Sequence, residues 1–245
     1  MTKTRVLVNG AKGKMGSETV NAINNTADLE LVAQIDLDDD LAASIKECQA
    51  EVVVDFTHPD SAFKNVKTIL DCKAHAIVGT TGLTPANLAE IKKLCTKNKV
   101  NCIVAPNFAI GAILMMKFAR EAAHYMPEVE IIELHHNQKA DSPSGTAIKT
   151  AELILADRQN IKPKAPKTVE KLKHARGAEL GGIHIHSIRL QGFVAHQEVI
   201  FGGLGQSLKI RHDSISRESF MPGVVMAIRK VKKLKGLVYG LENLL

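Results

Sequence analysis

One segment, ELHHNQKADSPSGTA at residues 133–147, concentrates more proton-transferring and anion-binding groups than any other stretch of this sequence. The imidazoles of His135 and His136 and the ammonium group of Lys139 can donate protons or supply positive charge to a reacting molecule. Taken singly, each of these residues would be ordinary on a surface or in a core. Their combination within one short segment predicts an active site rather than a polar loop.

The two adjacent histidines follow a predicted strand at residues 129–134, so their side chains are expected to point in opposite directions. One could transfer protons while the other contacts the substrate. A metal site is disfavoured, because no third ligand at a recognisable spacing accompanies His135 and His136. We therefore predict proton transfer without a metal ion here.

A Ser-Gly-Thr turn ends the same segment. Ser144, Gly145 and Thr146 begin a predicted helix at residues 144–157. Amides at the start of a helix lack intrahelical partners, so with the nearby hydroxyl groups they form a pocket suited to a carboxylate. A serine that only caps the helix is the structural alternative. Together with Lys139, the turn predicts an anionic small molecule as the substrate.

A glycine-rich turn, NGAKGKMG, occupies residues 9–16 between a predicted strand and a predicted helix. The spacing of Gly10, Gly13 and Gly16 matches the usual dinucleotide fingerprint only in part, but it lets backbone amides approach a pyrophosphate. Asp36 closes the next predicted strand, twenty residues after Gly16. An acid at that place accepts hydrogen bonds from an adenine-ribose diol. The combination predicts a dinucleotide site rather than a merely structural turn.

The residues around this turn bear on which dinucleotide is used. A run of carboxylates between Asp36 and Asp40 should repel the 2′-phosphate of NADPH. However, Lys12 and Lys14 lie in the glycine turn and could neutralise that phosphate. We predict that NADH is preferred and that NADPH is usable.

Two further segments follow predicted strands, where ligands of open α/β sheets bind. The GTTG segment at residues 79–82 offers the hydroxyl groups and amides of Thr80 and Thr81, although it could also be a threonine-rich turn before the next helix. The other segment, at a predicted domain boundary, consists of Ala105, Pro106, Asn107 and Phe108.

The pattern of predicted elements changes near Pro106. Before it, strands and helices alternate, which predicts an α/β domain with a doubly wound parallel sheet. After it come a long predicted helix at residues 109–125 and three closely spaced predicted strands, which favour a smaller α+β domain with a mixed sheet. One helix is predicted over residues 218–235. The long irregular stretch at residues 158–182 is typical of a functional or disordered loop.

Composition narrows the class of protein. The chain has 245 residues and a net charge of +6, but it contains no Trp and only two Tyr, so platforms for stacking nucleic-acid bases are scarce. No apolar run approaches the ~18 residues that span a bilayer. The four cysteines show no metal or redox spacing. We expect a cytoplasmic protein that acts on a small molecule, without nucleic acid or membrane.

These residues carry a resemblance to a known family. The segment at residues 133–147 resembles the signature E-x-H-H-x-x-K-x-D-x-P-S-G-T-A of the dihydrodipicolinate reductases of bacterial lysine biosynthesis, and it fills every fixed place. Other segments resemble the family in the same order along nearly the whole chain: NGAKGKMG, DFTHP (55–59), GTTG, APNFAIG (105–111) and GFVAHQEVIF (192–201).

The resemblance implies the domain organisation and the assembly. It implies a Rossmann-type cofactor domain formed by residues 1–106 and 217–245, and a substrate-binding and oligomerisation domain at residues 107–216. The largely open mixed sheet of the second domain is expected to build a homotetramer.

The resemblance also implies residue roles. His135 is the expected acid/base and Lys139 the expected proton donor. Substrate binding falls on His136, Ser144, Gly145, Thr146 and Thr81. Cofactor binding falls on Gly10, Ala11, Lys12, Gly13, Lys14, Met15, Asp36, Gly79, Thr80, Thr81, Ala105, Pro106, Asn107 and Phe108. Some members have an arginine after the acid of the second strand to hold the phosphate of NADPH, and Leu37 occupies that place here.

The implied reaction suits the residues. A cyclic imine with two carboxylates receives a hydride from nicotinamide, and a positioned acid then protonates the neighbouring atom. The sequence does not divide the proton steps between His135 and Lys139. Two alternatives are another nicotinamide enzyme, such as an amino-acid or semialdehyde dehydrogenase, and a non-catalytic NAD(H) sensor. A sensor has no need of the groups at residues 133–147.

Overall fold

The computed structural model describes residues 2–158 and 169–245, in which the chain forms two compact units. The first comprises Met1–Ile110 and Arg217–Leu245, and the second comprises Gly111–Ser216. Part of the irregular stretch predicted at residues 158–182, including the lysines at 162, 164 and 167, lies outside the described residues.

The elements are numbered in chain order. The strands are β1 (Thr4–Asn9), β2 (Leu29–Ile35), β3 (Val52–Asp55), β4 (His75–Val78), β5 (Cys102–Val104), β6 (Glu128–His135), β7 (Ala178–Leu180), β8 (Ile183–Arg189), β9 (Ala195–Gly203), β10 (Gln206–Ser214) and β11 (Leu237–Tyr239). The α-helices are α1 (Lys14–Asn24), α2 (Leu41–Glu47), α3 (Pro59–Asp71), α4 (Pro85–Asn98), α5 (Ile110–Ala122), α6 (Gly145–Asp157) and α7 (Met221–Val231). Short 3₁₀ helices lie at Arg217–Phe220 and Leu241–Leu244.

The first unit contains a six-stranded parallel sheet with the order β11-β5-β4-β3-β1-β2. Its central strand β3 carries Val52, Val53 and Val54, all fully buried, as expected for a strand covered on both faces. β1 lies between β2 and β3, so the sheet grows from β1 to β2 on one side and from β3 through β4 and β5 to β11 on the other. The predicted doubly wound sheet is confirmed, and the carboxyl ends of β1 and β3 flank its switch point.

Local capping residues fix where the helices begin. Thr84 and Asn87 form a reciprocal capping box at the start of α4, with Pro85 in the first turn. The prediction of one continuous helix over residues 218–235 is wrong. Pro222 lies in the first turn of α7 and cannot occupy a helix interior, so the helix begins at Met221 and a 3₁₀ turn precedes it. The helix ends at Val231.

The second unit contains a five-stranded mixed sheet with the order β10-β9-β6-β8-β7. β6 pairs with β8 in parallel, and the remaining pairs are antiparallel. Gln197 of β9 donates a hydrogen bond to Thr150 of α6 at 2.7 Å, so α6 covers the face to which Gln197 points. This sheet confirms the predicted mixed architecture. Among residues 2–158 and 169–245, no helix is long and apolar enough to cross a membrane.

Candidate active site

Three ionisable side chains meet at the carboxyl ends of two parallel strands in the second unit. In the register of β6 with β8, His135 is paired with Arg189 and Glu133 with Ser187. Residues two apart in a strand point to the same face, and residues paired across strands share a face. Glu133, His135 and Arg189 therefore lie on one face of the sheet, which is the face covered by α6.

The carboxylate of Glu133 is the centre of this group. Glu133 is fully buried, and its Oε2 atom lies 2.5 Å from His135 Nδ1 and accepts from Arg189 Nη1 at 2.8 Å. Its Oε1 atom accepts from Arg189 Nη2 at 2.7 Å and from the backbone N–H of Ser144 at 3.2 Å. One carboxylate thus joins the predicted acid/base to the start of α6.

The protonation state of Glu133 follows from these contacts. Burial acts to raise the pKa of its carboxyl, but the hydrogen bonds with His135 and Arg189 outweigh it and hold the pKa at about 2. Glu133 is therefore ionised at neutral pH. An ionised carboxylate can only accept hydrogen bonds, so His135 Nδ1 carries the hydrogen that it shares with Glu133.

Lys139 is held beside this group by an acidic residue. Lys139 Nζ lies 2.6 Å from Asp141 Oδ1, and this hydrogen bond lowers the pKa of the Asp141 carboxyl. Arg189 Nη2 also donates to the backbone oxygen of Asp141 at 2.8 Å. Arg189 therefore contacts the residues that fix both predicted proton donors.

The start of α6 has the features of an anion site, with one difference from the prediction. Ser144 is buried and its hydroxyl accepts from the backbone N–H of Ala147 at 3.2 Å, so this hydroxyl caps the helix. Gly145 is exposed, and a methyl group added there would meet no described atom within 4 Å. Thr146 is half-buried in the same turn. Open space beside Gly145 leaves room for a ligand against the first amides of α6.

The second histidine lies outside the buried group. His136 follows β6 and is half-buried, and its backbone oxygen accepts from the N–H of Lys139 at 3.1 Å. The described residues contain no cluster of three or more His, Cys, Asp or Glu that could hold a metal ion.

In the first unit, the glycine turn after β1 is shaped for close approach. Gly10 has φ +81°, and a methyl group added there would overlap the carbonyl of Phe56. A methyl group on Gly13 would stand 3.2 Å from the carbonyl oxygen of Gly10, which is tight but not prohibitive. Gly13 also caps α1 without a side-chain contact to its amides. These amides suit a pyrophosphate, and the packing of the protein alone does not require glycine at 13.

The remaining residues of this turn differ in exposure. Lys12 and Lys14 are exposed, Met15 is half-buried and Ala11 is buried. Asp36 accepts from the backbone N–H groups of Lys12 and Leu37, each at 2.9 Å, and these bonds hold the pKa of its carboxyl below the ordinary value. Asp36 therefore orders the glycine turn while remaining half-exposed.

A second buried carboxylate supports the neighbouring loops. Asp55, at the end of β3, is fully buried and accepts from the side chains of Asn9, Asn65, Thr57 and Thr80 at 2.7–3.0 Å. The hydroxyl of Thr80 therefore points into the protein, and Thr80 contributes by fixing the loop. The sequence analysis did not single out Asp55, although DFTHP contains it.

The two other predicted cofactor segments lie at the same edge of this sheet. Gly79 packs so closely on the ring of Phe56 that a methyl group there would overlap it, and Thr81 is exposed. Phe108 is buried and makes an edge-to-face contact with Phe56 at 5.8 Å between ring centroids. Ala105 is buried and Pro106 exposed, and Asn107 Oδ1 accepts from the N–H of Ala109 at 2.8 Å.

Comparison with known proteins identifies the family to which this chain belongs. The family model described as the N-terminus of dihydrodipicolinate reductase matches residues 4–108, and the model of the C-terminus matches residues 111–245. A protein named 4-hydroxy-tetrahydrodipicolinate reductase from Syntrophomonas wolfei is 51% identical over 99% of each chain. The dipicolinate-bound dihydrodipicolinate reductase from Paenisporosarcina sp. TG-14 is 44% identical, covers 100% of both chains and superposes with a TM-score of 0.91.

A more distant structure shows the fold alone. GenD2 from gentamicin A biosynthesis, solved in complex with NAD, is 10% identical, covers 100% of this chain and 90% of its own, and has a TM-score of 0.66. The predicted resemblance and fold class are confirmed. The chain therefore belongs to the dihydrodipicolinate reductase family, a family of NAD(P)-binding oxidoreductases with a Rossmann-type fold.

Proposed function

We propose that this enzyme reduces 4-hydroxy-tetrahydrodipicolinate, by way of dihydrodipicolinate, to tetrahydrodipicolinate in the diaminopimelate and lysine pathway, with NAD(P)H as the hydride donor. The observation that carries the proposal is the buried group in which Glu133 holds His135 and the start of α6 together. The family relatives carry the name of this reductase, and one was solved with dipicolinate, a planar dicarboxylate of the same class.

The first unit supplies the cofactor site in this proposal. The amides that begin α1 face the pyrophosphate, and Gly13 leaves them accessible. Asp36 keeps the turn in place and receives the adenine ribose. The 79–81 loop, fixed by Asp55, and the segment at residues 105–108 complete the site at the same edge of the sheet.

The second unit supplies the substrate site and the proton donors. The amides of Gly145 and Thr146 bind one carboxylate, while Lys139 and His136 offset the charge of the dicarboxylate. Ser144 shapes this turn by capping it. Bound nicotinamide supplies the hydride. His135 Nε2 and Lys139 Nζ are the groups that deliver a proton to the reduced ring.

The test uses fresh product of dihydrodipicolinate synthase and follows the oxidation of NADH and of NADPH. We expect oxidation only when that product is present, with the higher kcat/KM for NADH, because Asp36 and Leu37 offer no cation to a 2′-phosphate. Oxidation with other carbonyl compounds instead would point to a different dehydrogenase. A strong preference for NADPH would contradict the role given to Asp36.

A matched variant sharpens the cofactor assignment. Leu37 is 91% exposed, so Leu37→Arg should not disturb packing. Its guanidinium can pair with the 2′-phosphate, and we expect kcat/KM for NADPH to rise relative to NADH by roughly 10-fold or more.

We propose a homotetramer built through the face of the second sheet that points away from α6. Ile132, Ile188 and Ile200 lie on that face by strand alternation, and all three are only half-buried within one chain. We expect Ile200→Lys to give a species of lower mass by light scattering. Leu37→Lys in the first unit is the control and should leave the mass unchanged. A wild-type monomer would contradict the proposal.

We also propose a cytoplasmic location, which the four free cysteines support because thiols persist in a reducing compartment. Cell fractionation measures this directly.

A further inference from the structure

We infer that Glu133 and Arg189 form a positioning pair that fixes the tautomer and orientation of His135 and holds Lys139 and the anion-binding turn on the same frame. The inference rests on the proposed function, in which His135 and Lys139 protonate the substrate. Glu133 and Arg189 touch neither ligand in this account, so they act through other residues.

The contacts of Glu133 fill its hydrogen-bonding capacity. A carboxylate offers about four lone-pair sites. In this structure Glu133 receives one hydrogen from His135, two from Arg189 and one from the backbone of Ser144, and the side chain of Ser187 also hydrogen-bonds to it. Because both oxygens are held by several partners, a rotation of the carboxylate would break several hydrogen bonds at once. Glu133 is therefore rigidly held, and it holds His135 equally rigidly.

This arrangement selects one tautomer of His135. The hydrogen on Nδ1 is committed to the carboxylate at 2.5 Å, so Nε2 is the nitrogen that exchanges a proton with the substrate. A histidine without such a partner can carry its hydrogen on either nitrogen. Glu133 thus holds His135 in one tautomer and orientation, as a buried carboxylate does for the catalytic histidine in other enzymes.

Arg189 stabilises the buried carboxylate of Glu133 and links it to Asp141. Its bidentate contact neutralises Glu133, and a buried charge of this kind is costly without a partner. Its Nη2 atom also reaches the backbone oxygen of Asp141, whose carboxylate holds Lys139 Nζ. The two proton donors are consequently tied to the same guanidinium from two sides.

A purely structural ion pair is the competing explanation, and the chain offers a matched control for it. Glu130 lies on the same strand β6, on the opposite face, and also binds one histidine and one arginine. His186 Nε2 lies 2.8 Å from Glu130 Oε2, and Arg176 contacts the other oxygen. This cluster has the same residue types as the Glu133 cluster but is partly exposed, with 38% of the Glu130 side chain accessible, and it does not contact His135.

The experiment compares Glu133→Gln with Glu130→Gln in the full-length enzyme. We expect Glu133→Gln to lower kcat by about 10²–10⁴-fold, as loss of a tautomer-fixing carboxylate does elsewhere. The KM for NADH should stay within about 2-fold, because the cofactor residues lie in the other unit. Glu130→Gln should keep kcat within a few-fold of wild type. Because Glu130 is paired with Ile200 on the face proposed for assembly, light scattering should show an unchanged mass for this variant.

A double variant separates positioning from folding. Glu133→Gln alone leaves Arg189 buried without its counter-ion, so it could fold poorly. Glu133→Gln/Arg189→Met removes both charges, and we expect its Tm to exceed that of the single variant while kcat stays low. In ¹⁵N-histidine-labelled protein, the His135 signal should report hydrogen on Nδ1 in wild type and Glu130→Gln, but a changed distribution in Glu133→Gln.

The outcomes distinguish this inference from the proposed function. If Glu133→Gln or the double variant turns over at the wild-type rate while His135→Ala does not, the positioning role is wrong and the proposed function stands. If wild type fails to reduce the substrate, the proposed function fails. If His135→Ala is itself fully active, the role of His135 and the positioning role of Glu133 are both wrong, whereas the proposed reaction stands. Equal losses of kcat in Glu133→Gln and Glu130→Gln would show a general structural effect and overturn the inference.

Discussion

Replacement of His135 or Lys139 by alanine is expected to lower kcat by about 10²–10⁴-fold, the usual contribution of a positioned general acid or base. The His135→Ala variant lacks the proposed proton donor that Glu133 orients. The Lys139→Ala variant lacks both a proposed donor and a cation that would offset the charge of the substrate dicarboxylate. We therefore expect KM for the substrate to rise more in Lys139→Ala than in His135→Ala. Steady-state kinetics measures both parameters, and titration with NADH measures cofactor binding, which should survive in each variant.

The same unit provides matched controls for these two residues. His124 Nε2 lies 3.4 Å from Asp157 Oδ2, and Lys149 Nζ lies 3.9 Å from Glu152 Oε2. Both pairs are partly exposed, and none of the four residues belongs to β6. Alanine at His124 or Lys149 should leave kcat within about 2-fold of wild type, because exposed ion pairs contribute little. Near-normal turnover in both His135→Ala and Lys139→Ala would remove these residues from the mechanism.

The largest stability effect is expected at Asp55. Replacing Asp55 by alanine removes the buried carboxylate that accepts from the side chains of Asn9, Asn65, Thr57 and Thr80. Asn65 keeps Thr57 Oγ1 as an acceptor, and Thr80 keeps the backbone oxygen of residue 55 at 3.4 Å. We expect the free energy of unfolding to fall by about 3–5 kcal/mol, since a network of four hydrogen bonds to one buried carboxylate is lost at once. The KM for NADH should also rise, because the loops after β1, β3 and β4 lose the group that joins them. Urea denaturation and cofactor titration measure the two effects.

A surface aspartate serves as the control for Asp55. Asp71 ends α3 and accepts one exposed hydrogen bond from Asn98 at 3.0 Å. Asp71→Ala should change the unfolding free energy by no more than about 0.5 kcal/mol. If Asp55→Ala changed the unfolding free energy as little as Asp71→Ala, the hydrogen bonds to Asp55 would not be what stabilises the loops after β1, β3 and β4.

Much of the fold was predictable because its turns and helix starts depend on residues that are close together in the sequence. The glycine turn before α1, the Thr84–Pro85 start of α4 and the serine cap of α6 each depend on residues within a few positions of one another. Short elements with weak patterns were missed: α2, which Asp40 caps, and the three-residue strands β7 and β11. The segments of β7 and β11 carry too little periodicity to indicate a strand, and each forms a strand only by pairing with a neighbour.

The sequence by itself determined that the predicted proton donors and the predicted anion-binding turn fall in one segment, because His135, Lys139 and Ser144 are close along the chain. It could not show that Arg189, 56 positions after Glu133, completes the group, since only the parallel register of β6 with β8 brings the two together. Likewise, the hydroxyl of Thr80 reads as a ligand contact in sequence, but tertiary packing turns it toward Asp55. Local spacing sets which groups are available, whereas strand pairing and burial decide which of them meet, because buried charges must find partners wherever the fold places them.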